Sequence, residues 1–119
     1  MGYEMISTDI YDPEGGHESA WSRVPASVKI SIEVYQQCIQ REVDKRNSGM
    51  FRPSSGWRSD TGNRRVGGVA DSRHLWGGAR DFIPVDPSYC KPPIVCPSMF
   101  RVLRSPSDGP FRCWHVEVI

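Results

Sequence analysis

Three side chains in the second half of the chain have the donor atoms that a catalytic metal ion needs. His74 and Asp81 lie seven positions apart in the stretch SRHLWGGARD, and His115 follows in the last segment, RCWHVEVI. A catalytic zinc ion takes three protein ligands of nitrogen and oxygen type and keeps one position open for water. Histidine and aspartate also have commoner hydrogen-bonding roles, so the three residue types alone do not establish a metal site.

The residues between the first two donors predict how the chain brings them together. Gly77 and Gly78 allow the chain to fold back, so that His74 and Asp81 can face one point. A strand is predicted over residues 79–85, and the small alanine at its start leaves room beside Asp81. The spacing therefore favours one site shared by a turn and a strand.

The last segment, residues 112–119, alternates along its length and predicts a strand. Successive side chains of a strand point to opposite faces, so His115 and Glu117 share one face. The other residues on that face are Cys113 and Ile119, and the opposite face has Trp114, Val116 and Val118. Glu117 is thus placed either to act at the metal or to orient its histidine ligand.

The rest of the chain predicts one long helix and several short elements. Residues 25–47 have an apolar stripe at helical spacing, which consists of Val28, Ile32, Tyr35, Ile39 and Val43. The short elements are a strand over residues 50–58 with a turn at Pro53, one or two helical turns over 60–66, a loop over 86–97 and a short helix over 98–104. The predicted class is α+β, a small antiparallel sheet with a long N-terminal helix and short helices.

Length and composition bound the class of protein. The chain has 119 residues, of which 38% are hydrophobic and 24% are charged, which is typical of one globular domain. We expect a single domain, 1–119, with residues 1–24 as an N-terminal arm and residues 25–119 as the core. No apolar run approaches the ~20 residues that cross a bilayer, and the acidic start of the chain lacks a signal-peptide pattern. We therefore expect a protein that is made in the cytoplasm and has no membrane partner. We also expect a monomer, although the sequence leaves the oligomeric state open.

Charge and cysteine content restrict the partners further. Arginine outnumbers lysine by twelve to three, and six arginines lie from Arg52 to Arg80. Arginine suits bidentate binding of a carboxylate or phosphate. The net charge of +1 argues against nucleic acid, so we expect no nucleic-acid partner. Cys90 and Cys96 flank a proline-rich loop and could form a disulfide in an oxidising compartment, although reduced thiols are the default.

A longer pattern surrounds the donor residues. Its segments are Ser72-x-His74-x-x-Gly77-x-Ala79-x-Asp81-Phe82, the upstream Ser55-Gly56-Trp57-Arg58-Ser59 with Asn63 and Val66-Gly67-Gly68, and the final Trp114-His115-Val116-Glu117. Over residues 50–119 the chain resembles the zinc D-Ala-D-Ala carboxypeptidase and L-Ala-D-Glu endopeptidase family, metallopeptidase family fifteen. Relatives of this family include phage endolysins and the hedgehog signalling domain, so the resemblance implies a hedgehog/DD-peptidase-like fold.

The resemblance implies a role for individual residues. It implies zinc as the cofactor, with His74, Asp81 and His115 as the metal ligands. Arg58 resembles an arginine that steadies the substrate or the developing oxyanion. Ser72 resembles a serine beside the first ligand that contacts substrate, although a turn hydroxyl bonded to the local backbone explains it equally well.

The general base departs from the family pattern. Many relatives have a glutamate three residues before the third ligand, where this chain has Arg112. Others have a histidine two residues before it, where this chain has Cys113. We take Glu117 as the catalytic base and keep the orientation of a ligand as its alternative role. Asp108 and Cys113 are the other candidates.

The implied activity is hydrolysis of an amide bond in peptidoglycan stem peptides, with a zinc-activated water as the nucleophile. The resemblance leaves open a D,D-carboxypeptidase or an L-Ala-D-Glu endopeptidase. The short chain fits a phage-encoded minimal member that is made in an infected bacterial host and acts at the cell wall. The missing base motivates an alternative, a catalytically impaired zinc-binding module that binds cell-wall peptide or a protein partner.

Overall fold

The computed structural model describes residues 10–11, 21–65, 67, 69–89, 91–104 and 114–119. The elements are β1 (Ile10–Tyr11), α1 (Ala26–Asn47), β2 (Phe51–Ser55), β3 (Trp57–Arg58), α2 (Asp60–Arg65), a 3₁₀ turn (Arg73–Trp76), β4 (Ala79–Pro84), β5 (Phe100–Arg104) and β6 (Trp114–Val118). The long helix and the strands in the middle and at the end of the chain are confirmed within two residues of their predicted bounds, as far as those bounds are described.

The strands form two sheets. Four of them make an antiparallel sheet in the order β2-β4-β6-β5, and β1 pairs with β3 in a two-stranded parallel ladder. With α1 before the larger sheet, the architecture is α+β and confirms the predicted class. The division into an arm over residues 1–24 and a core over 25–119 stays a prediction, since most of the arm lies outside the described residues.

Helix α1 packs against one face of the larger sheet. Ile39 and Val43 of the helix join a buried cluster with four sheet residues, Phe51, Phe82, Phe100 and Val116. Burying an aliphatic or aromatic side chain of this size contributes about 1.5–3 kcal/mol. This cluster therefore stabilises the position of the helix on β2, β4, β5 and β6.

The predicted apolar stripe of α1 is wrong at two positions. Val28 and Tyr35 are 44% and 38% exposed, whereas Gln36 is fully buried beside Ile32 and Ile39. The Gln36 side chain donates to the backbone oxygens of Gly77 and Ala79 at 2.6 and 2.8 Å. A polar residue can occupy the core here because each of these bonds offsets the cost of removing its groups from water.

A buried arginine completes this polar contact between helix and sheet. Arg80 of β4 is fully buried, and its guanidinium donates to the side-chain oxygens of Gln36 and Gln40 at 2.9 and 2.7 Å. The residue lies directly before Asp81 on the strand, so it faces the helix while Asp81 faces away. The helix thereby fixes the strand that bears one of the candidate ligands.

Two local predictions are corrected by the structure. Residues 100–104 form strand β5, not the short helix expected over 98–104, because Phe100 and Val102 pack in the core and pair with β6. The strand over 50–58 is interrupted at Gly56, after an irregularity between Pro53 and Ser55, and not by a turn at Pro53. In both cases the pairing of strands decides the outcome.

The remaining sequence predictions concern membranes and thiols. Among the described residues, no helix combines the length and apolar character that crossing a bilayer requires. Cys38 and Cys96 are free thiols, and the Cys96 sulfur contacts the Ser98 hydroxyl at 3.3 Å. Cys90, the other half of the disulfide considered above, lies outside the described residues, so that pairing stays a prediction.

Candidate metal centre

Three elements bring the candidate ligands together. Asp81 on β4 and His115 on β6 are direct partners in the antiparallel ladder, which places both side chains on the same face. His74 comes from the 3₁₀ turn that precedes β4. All three residues lie on the side of the sheet opposite helix α1, so the core and the site use different faces of the same strands.

The donor atoms of the three side chains form a nearly equilateral triangle. His74 Nε2 lies 3.2 Å from Asp81 Oδ1 and 3.2 Å from His115 Nδ1. His115 Nδ1 lies 3.1 Å from Asp81 Oδ1. Among the described residues, His74, Asp81 and His115 form a group whose donor atoms are close enough to share one cation.

This triangle fits a tetrahedral metal ion. Zinc ligands at about 2.0–2.1 Å from the ion lie about 3.3 Å from one another in tetrahedral geometry. The observed separations of 3.1–3.2 Å are close to that spacing. Two imidazole nitrogens and one carboxylate oxygen are also a ligand set that leaves a fourth position open. Both the spacing and the donor chemistry therefore suit zinc.

The second ring nitrogen of His74 is held by the backbone. His74 is 1% exposed, and its Nδ1 lies 2.7 Å from the carbonyl oxygen of Gly56. A carbonyl can only accept, so Nδ1 must carry the proton and Nε2 presents its lone pair to the triangle. The contact fixes the tautomer that a metal ligand needs.

The second ring nitrogen of His115 is held by a carboxylate. Its Nε2 lies 2.7 Å from Glu117 Oε1, which leaves Nδ1 directed at Asp81 and His74. A hydrogen bond of this kind fixes the ring orientation of a metal-binding histidine and raises its basicity. The structure thus places Glu117 behind His115, which favours the orienting role over the role of general base.

Asp81 is oriented in the same manner by an arginine. Its Oδ2 accepts a hydrogen bond from Arg58 at 3.0 Å, and its Oδ1 belongs to the donor triangle. The Arg58 side chain is only 12% exposed and also reaches the side-chain oxygen of Asn63 at 3.5 Å. Asn63 is buried and donates to the Val69 carbonyl at 2.8 Å, so the arginine is supported in turn.

The pKa directions agree with a site built for a cation. Burial would raise the pKa of Asp81, but its close contacts with the His115 and His74 rings lower it well below the usual range. Burial would raise the pKa of Glu117, but Arg101 and His115 lower it. Burial would lower the pKa of His115, but Asp81 and Glu117 raise it above its ordinary value of 6.5. Both carboxylates are therefore ionised at neutral pH, and they favour positive charge between them.

The turn before β4 depends on the residues predicted for it. Gly77 has φ 82°, and a Cβ there would come within 2.9 Å of the Ile32 backbone, so a side chain would force the turn away from helix α1. The Ser72 hydroxyl accepts from the His74 backbone N–H at 3.2 Å. This contact matches the local role considered for Ser72, and its contact with substrate stays a prediction.

Two arginines were not singled out from the sequence. Arg73 and Arg101 both contact Glu117 Oε2, at 3.2 Å for Arg73, while Arg101 donates through both Nε and a terminal nitrogen. Arg73 lies between Ser72 and His74, and Arg101 pairs with Glu117 in the ladder between β5 and β6. Because 98–104 was predicted as a helix, the register that brings Arg101 to the site was not foreseen.

Of the three candidates for the general base, only Glu117 lies among the described residues. Asp108 and Cys113 lie outside the described residues, as does Arg112 at the usual base position, so both candidates stay predictions. Glu117 is near the triangle, but it is already bonded to His115 and to two arginines. Its assignment as the base stays a prediction.

The comparison with protein families is consistent with this site. A family model described as Peptidase M15 matches residues 38–102, which include His74 and Asp81 and end before His115. The match covers more than half of the chain, and the chain therefore belongs to the Peptidase M15 family. The family inferred from the three motifs is confirmed. Comparisons with curated proteins and with solved structures gave no significant match.

Proposed function

We propose that the protein is a zinc-dependent peptidase that hydrolyses an amide bond in peptidoglycan stem peptides. The observation that carries the proposal is the donor triangle of His74, Asp81 and His115, in which each side chain has its other polar atom held by a partner. Membership of the M15 peptidases supports the reaction class. Substrate and bond remain parts of the proposal.

In this proposal the chain provides a rigid ligand set. His74 and His115 present neutral imidazole nitrogens, and Asp81 presents one carboxylate oxygen. These three side chains would hold zinc, which would activate a water and polarise the scissile carbonyl. Arg58 keeps Asp81 in place, and its positive charge next to the ligand set would help to stabilise a developing oxyanion.

Glu117 acts in this proposal as a positioning residue for His115. It is 4% exposed, and three contacts engage its two oxygens. Such a carboxylate has a low affinity for a proton, and a general base must accept one during the reaction. Asp108 and Cys113 are then the candidates for the base, as the sequence already indicated.

We also propose where the enzyme works. Peptidoglycan lies in the bacterial cell wall, so the site of action is the wall. The resemblance to phage endolysins supports synthesis in the cytoplasm of an infected host. A monomer is proposed as well, since the donor triangle is complete within one chain.

A digest of purified peptidoglycan tests the proposal. The protein is incubated with the polymer in the presence of zinc or of a chelator, and released peptides are identified by mass spectrometry. We expect a new zinc-dependent fragment, whose mass identifies the bond. His74→Ala should release none, whereas His17→Ala should match the parent protein, since His17 lies outside the three motifs. Equal release with zinc and with chelator would contradict the proposal.

One observation favours a second candidate function. The carboxylate beside the triangle, Glu117, is engaged by His115 and two arginines, and the usual base position is occupied by Arg112. A zinc-binding module that holds cell-wall peptide without cutting it would share these features. Stoichiometric zinc binding and retention of the peptide, with no fragment released, would establish this second function.

A further inference from the structure

We propose that Arg73 and Arg101 form an anion subsite that binds a carboxylate of the peptide substrate beside the metal centre. The inference rests on the proposed function and deepens it, because it states which chemical group of the substrate is recognised outside the metal site. The ligand class is a peptide with a free carboxylate near the scissile bond.

The two arginines converge on a single oxygen atom. Arg73 reaches Glu117 Oε2 from the 3₁₀ turn, and Arg101 reaches the same atom from β5. The two guanidinium groups therefore lie close to one another, although they come from distant parts of the chain. A guanidinium has five N–H donors, so one shared carboxylate oxygen does not exhaust either side chain.

Exposure separates the arginines from the carboxylate that they share. The Glu117 side chain is 6% exposed, whereas the side chains of Arg73 and Arg101 are 34% and 51% exposed. The negative group is thus covered, and the positive groups reach solvent at the edge of the site. A dissolved anion that approaches this edge meets guanidinium groups first.

The charges near the triangle do not cancel. Three arginines contact two carboxylates here, Arg58 at Asp81 and both Arg73 and Arg101 at Glu117, which leaves one positive charge when the histidines are neutral. A bound divalent cation would add to this excess. Positive potential in a cleft attracts anionic ligands and suppresses binding of neutral analogues.

Strand β5 places the subsite at a useful distance from the metal ligands. Arg101 pairs with Glu117 and Leu103 pairs with His115, so Arg101 and Leu103 lie on the same face as the donor triangle. The Arg101 guanidinium is separated from the metal-facing nitrogen of His115 by one carboxylate and one imidazole ring. A peptide bound at the metal could therefore reach the arginines with a carboxylate one residue away.

Two carboxylates of a stem peptide share this chemistry, and the test must distinguish them. One is the terminal carboxylate of D-Ala, and the other is the carboxylate of D-Glu that forms no amide bond along the stem peptide. We would measure cleavage of one synthetic stem pentapeptide in three forms, with both carboxylates free, with the terminal one amidated and with the D-Glu one amidated. The amidated form that the parent enzyme cleaves with a lower kcat/KM than the unmodified peptide identifies the recognised carboxylate.

The variants Arg101→Gln and Arg73→Gln test the arginines themselves. We expect each to lower kcat/KM for the peptide with free carboxylates by about tenfold to a hundredfold, mainly through KM, because each removes a charge-assisted hydrogen bond. The peptide that is amidated at the recognised group should be cleaved at nearly the parent rate. The matched control is Arg104→Gln, on the same strand but opposite Trp114, which should leave both peptides unaffected.

A purely structural role of the arginines gives a different result. If they act only by holding Glu117 behind His115, both variants reduce cleavage of the free and amidated peptides by the same factor. That outcome overturns the anion subsite. An equal loss in Arg104→Gln would overturn it as well, since the effect would then reflect general positive charge.

A binding measurement separates this inference from the proposed function. Calorimetric titration of the zinc-loaded protein with the same three peptides detects the subsite even when no bond is cut. Absence of cleavage, together with weaker binding of one amidated form, would refute the peptidase and support the subsite. Cleavage of all three peptides at equal rates and with equal affinity would support the peptidase and refute the subsite.

Discussion

On strand β6, Val116 faces helix α1 and is fully buried among apolar side chains, whereas His115 and Glu117 face the candidate metal centre. Strand β4 repeats this division, with Phe82 in the core and Asp81 in the donor triangle. Alternation along a strand assigns neighbouring residues to opposite faces. On these two strands the helix face bears the core residues Phe82 and Val116, and the other face bears the candidate metal ligands, although both faces share one backbone.

This comparison shows that the core fixes the geometry of the site. Asp81 and His115 face one another because β4 and β6 pair in one register, and the same register aligns Phe82 with Trp114. A slip of β6 by one residue would move His115 to the helix face and leave Asp81 without its partner ligand. Apolar packing on one face thus determines the distance between donor atoms on the other.

The largest expected effect is on the site face. We expect His115→Ala to abolish zinc binding, because two remaining side chains do not make a catalytic zinc site. The zinc-free variant should still unfold cooperatively, with a smaller loss of stability than a core substitution causes. Zinc titration by calorimetry and chemical denaturation without zinc measure the two quantities. Full zinc occupancy in the variant would remove His115 from the site.

On the opposite face, Phe82→Ala should destabilise the zinc-free protein by about 3–5 kcal/mol, because it opens a cavity in the core cluster. Zinc should still bind to the fraction that is folded, and excess zinc should recover part of the stability by mass action. Denaturation with and without zinc provides the measurement. A variant as stable as the parent would show that Phe82 does not stabilise the sheet that positions the ligands.

A smaller effect is expected for Glu117→Gln. If Glu117 only orients His115, zinc affinity should fall by about tenfold to a hundredfold, and turnover at saturating zinc should persist. If Glu117 is the general base, zinc should stay bound while turnover is lost. Zinc titration followed by peptide cleavage at saturating metal separates these roles. The second result would restore the assignment predicted from the sequence.

The smallest effect concerns pH. The pKa of His115 is raised above 6.5, so a proton already competes with zinc for this side chain somewhat above pH 6.5. The apparent zinc affinity should therefore fall as the pH decreases from 8 to 5. Asp81, whose pKa is lowered, should stay ionised over the same range. Zinc titrations between pH 5 and 8 test this sign. An affinity that rises towards pH 5 would contradict the proposed protonation state.

The donor triangle could be predicted because its determinants are local or regular. Gly77 and Gly78 predict the turn after His74. The alternation of side-chain direction along the last strand places His115 and Glu117 on one face. The resemblance to the family added that the three motif segments, in their order along the chain, belong to one site. These signals depend on short-range geometry, which a sequence displays directly.

Other features depend on contacts between distant residues. Strand β5 was missed because FRVLR is too short to distinguish a strand from a helix, and pairing with β6 decides its state. Gln36 interrupts the apolar stripe of α1 because its partners are backbone oxygens more than forty residues away. The contacts of Arg73 and Arg101 with Glu117 depend on the same long-range pairing.

The hydrogen-bond partners of the two histidine ligands differ in how readily a mutation removes them. His115 depends on the Glu117 side chain, which a single codon change can remove, whereas His74 depends on the main-chain oxygen at position 56, which every amino acid supplies. In a saturation library, position 117 should therefore be intolerant with respect to zinc affinity. At position 56, which is buried, zinc affinity should depend only on whether the new side chain fits without moving the backbone. The support of His74 thus depends on the path of the backbone, and the support of His115 depends on one side chain.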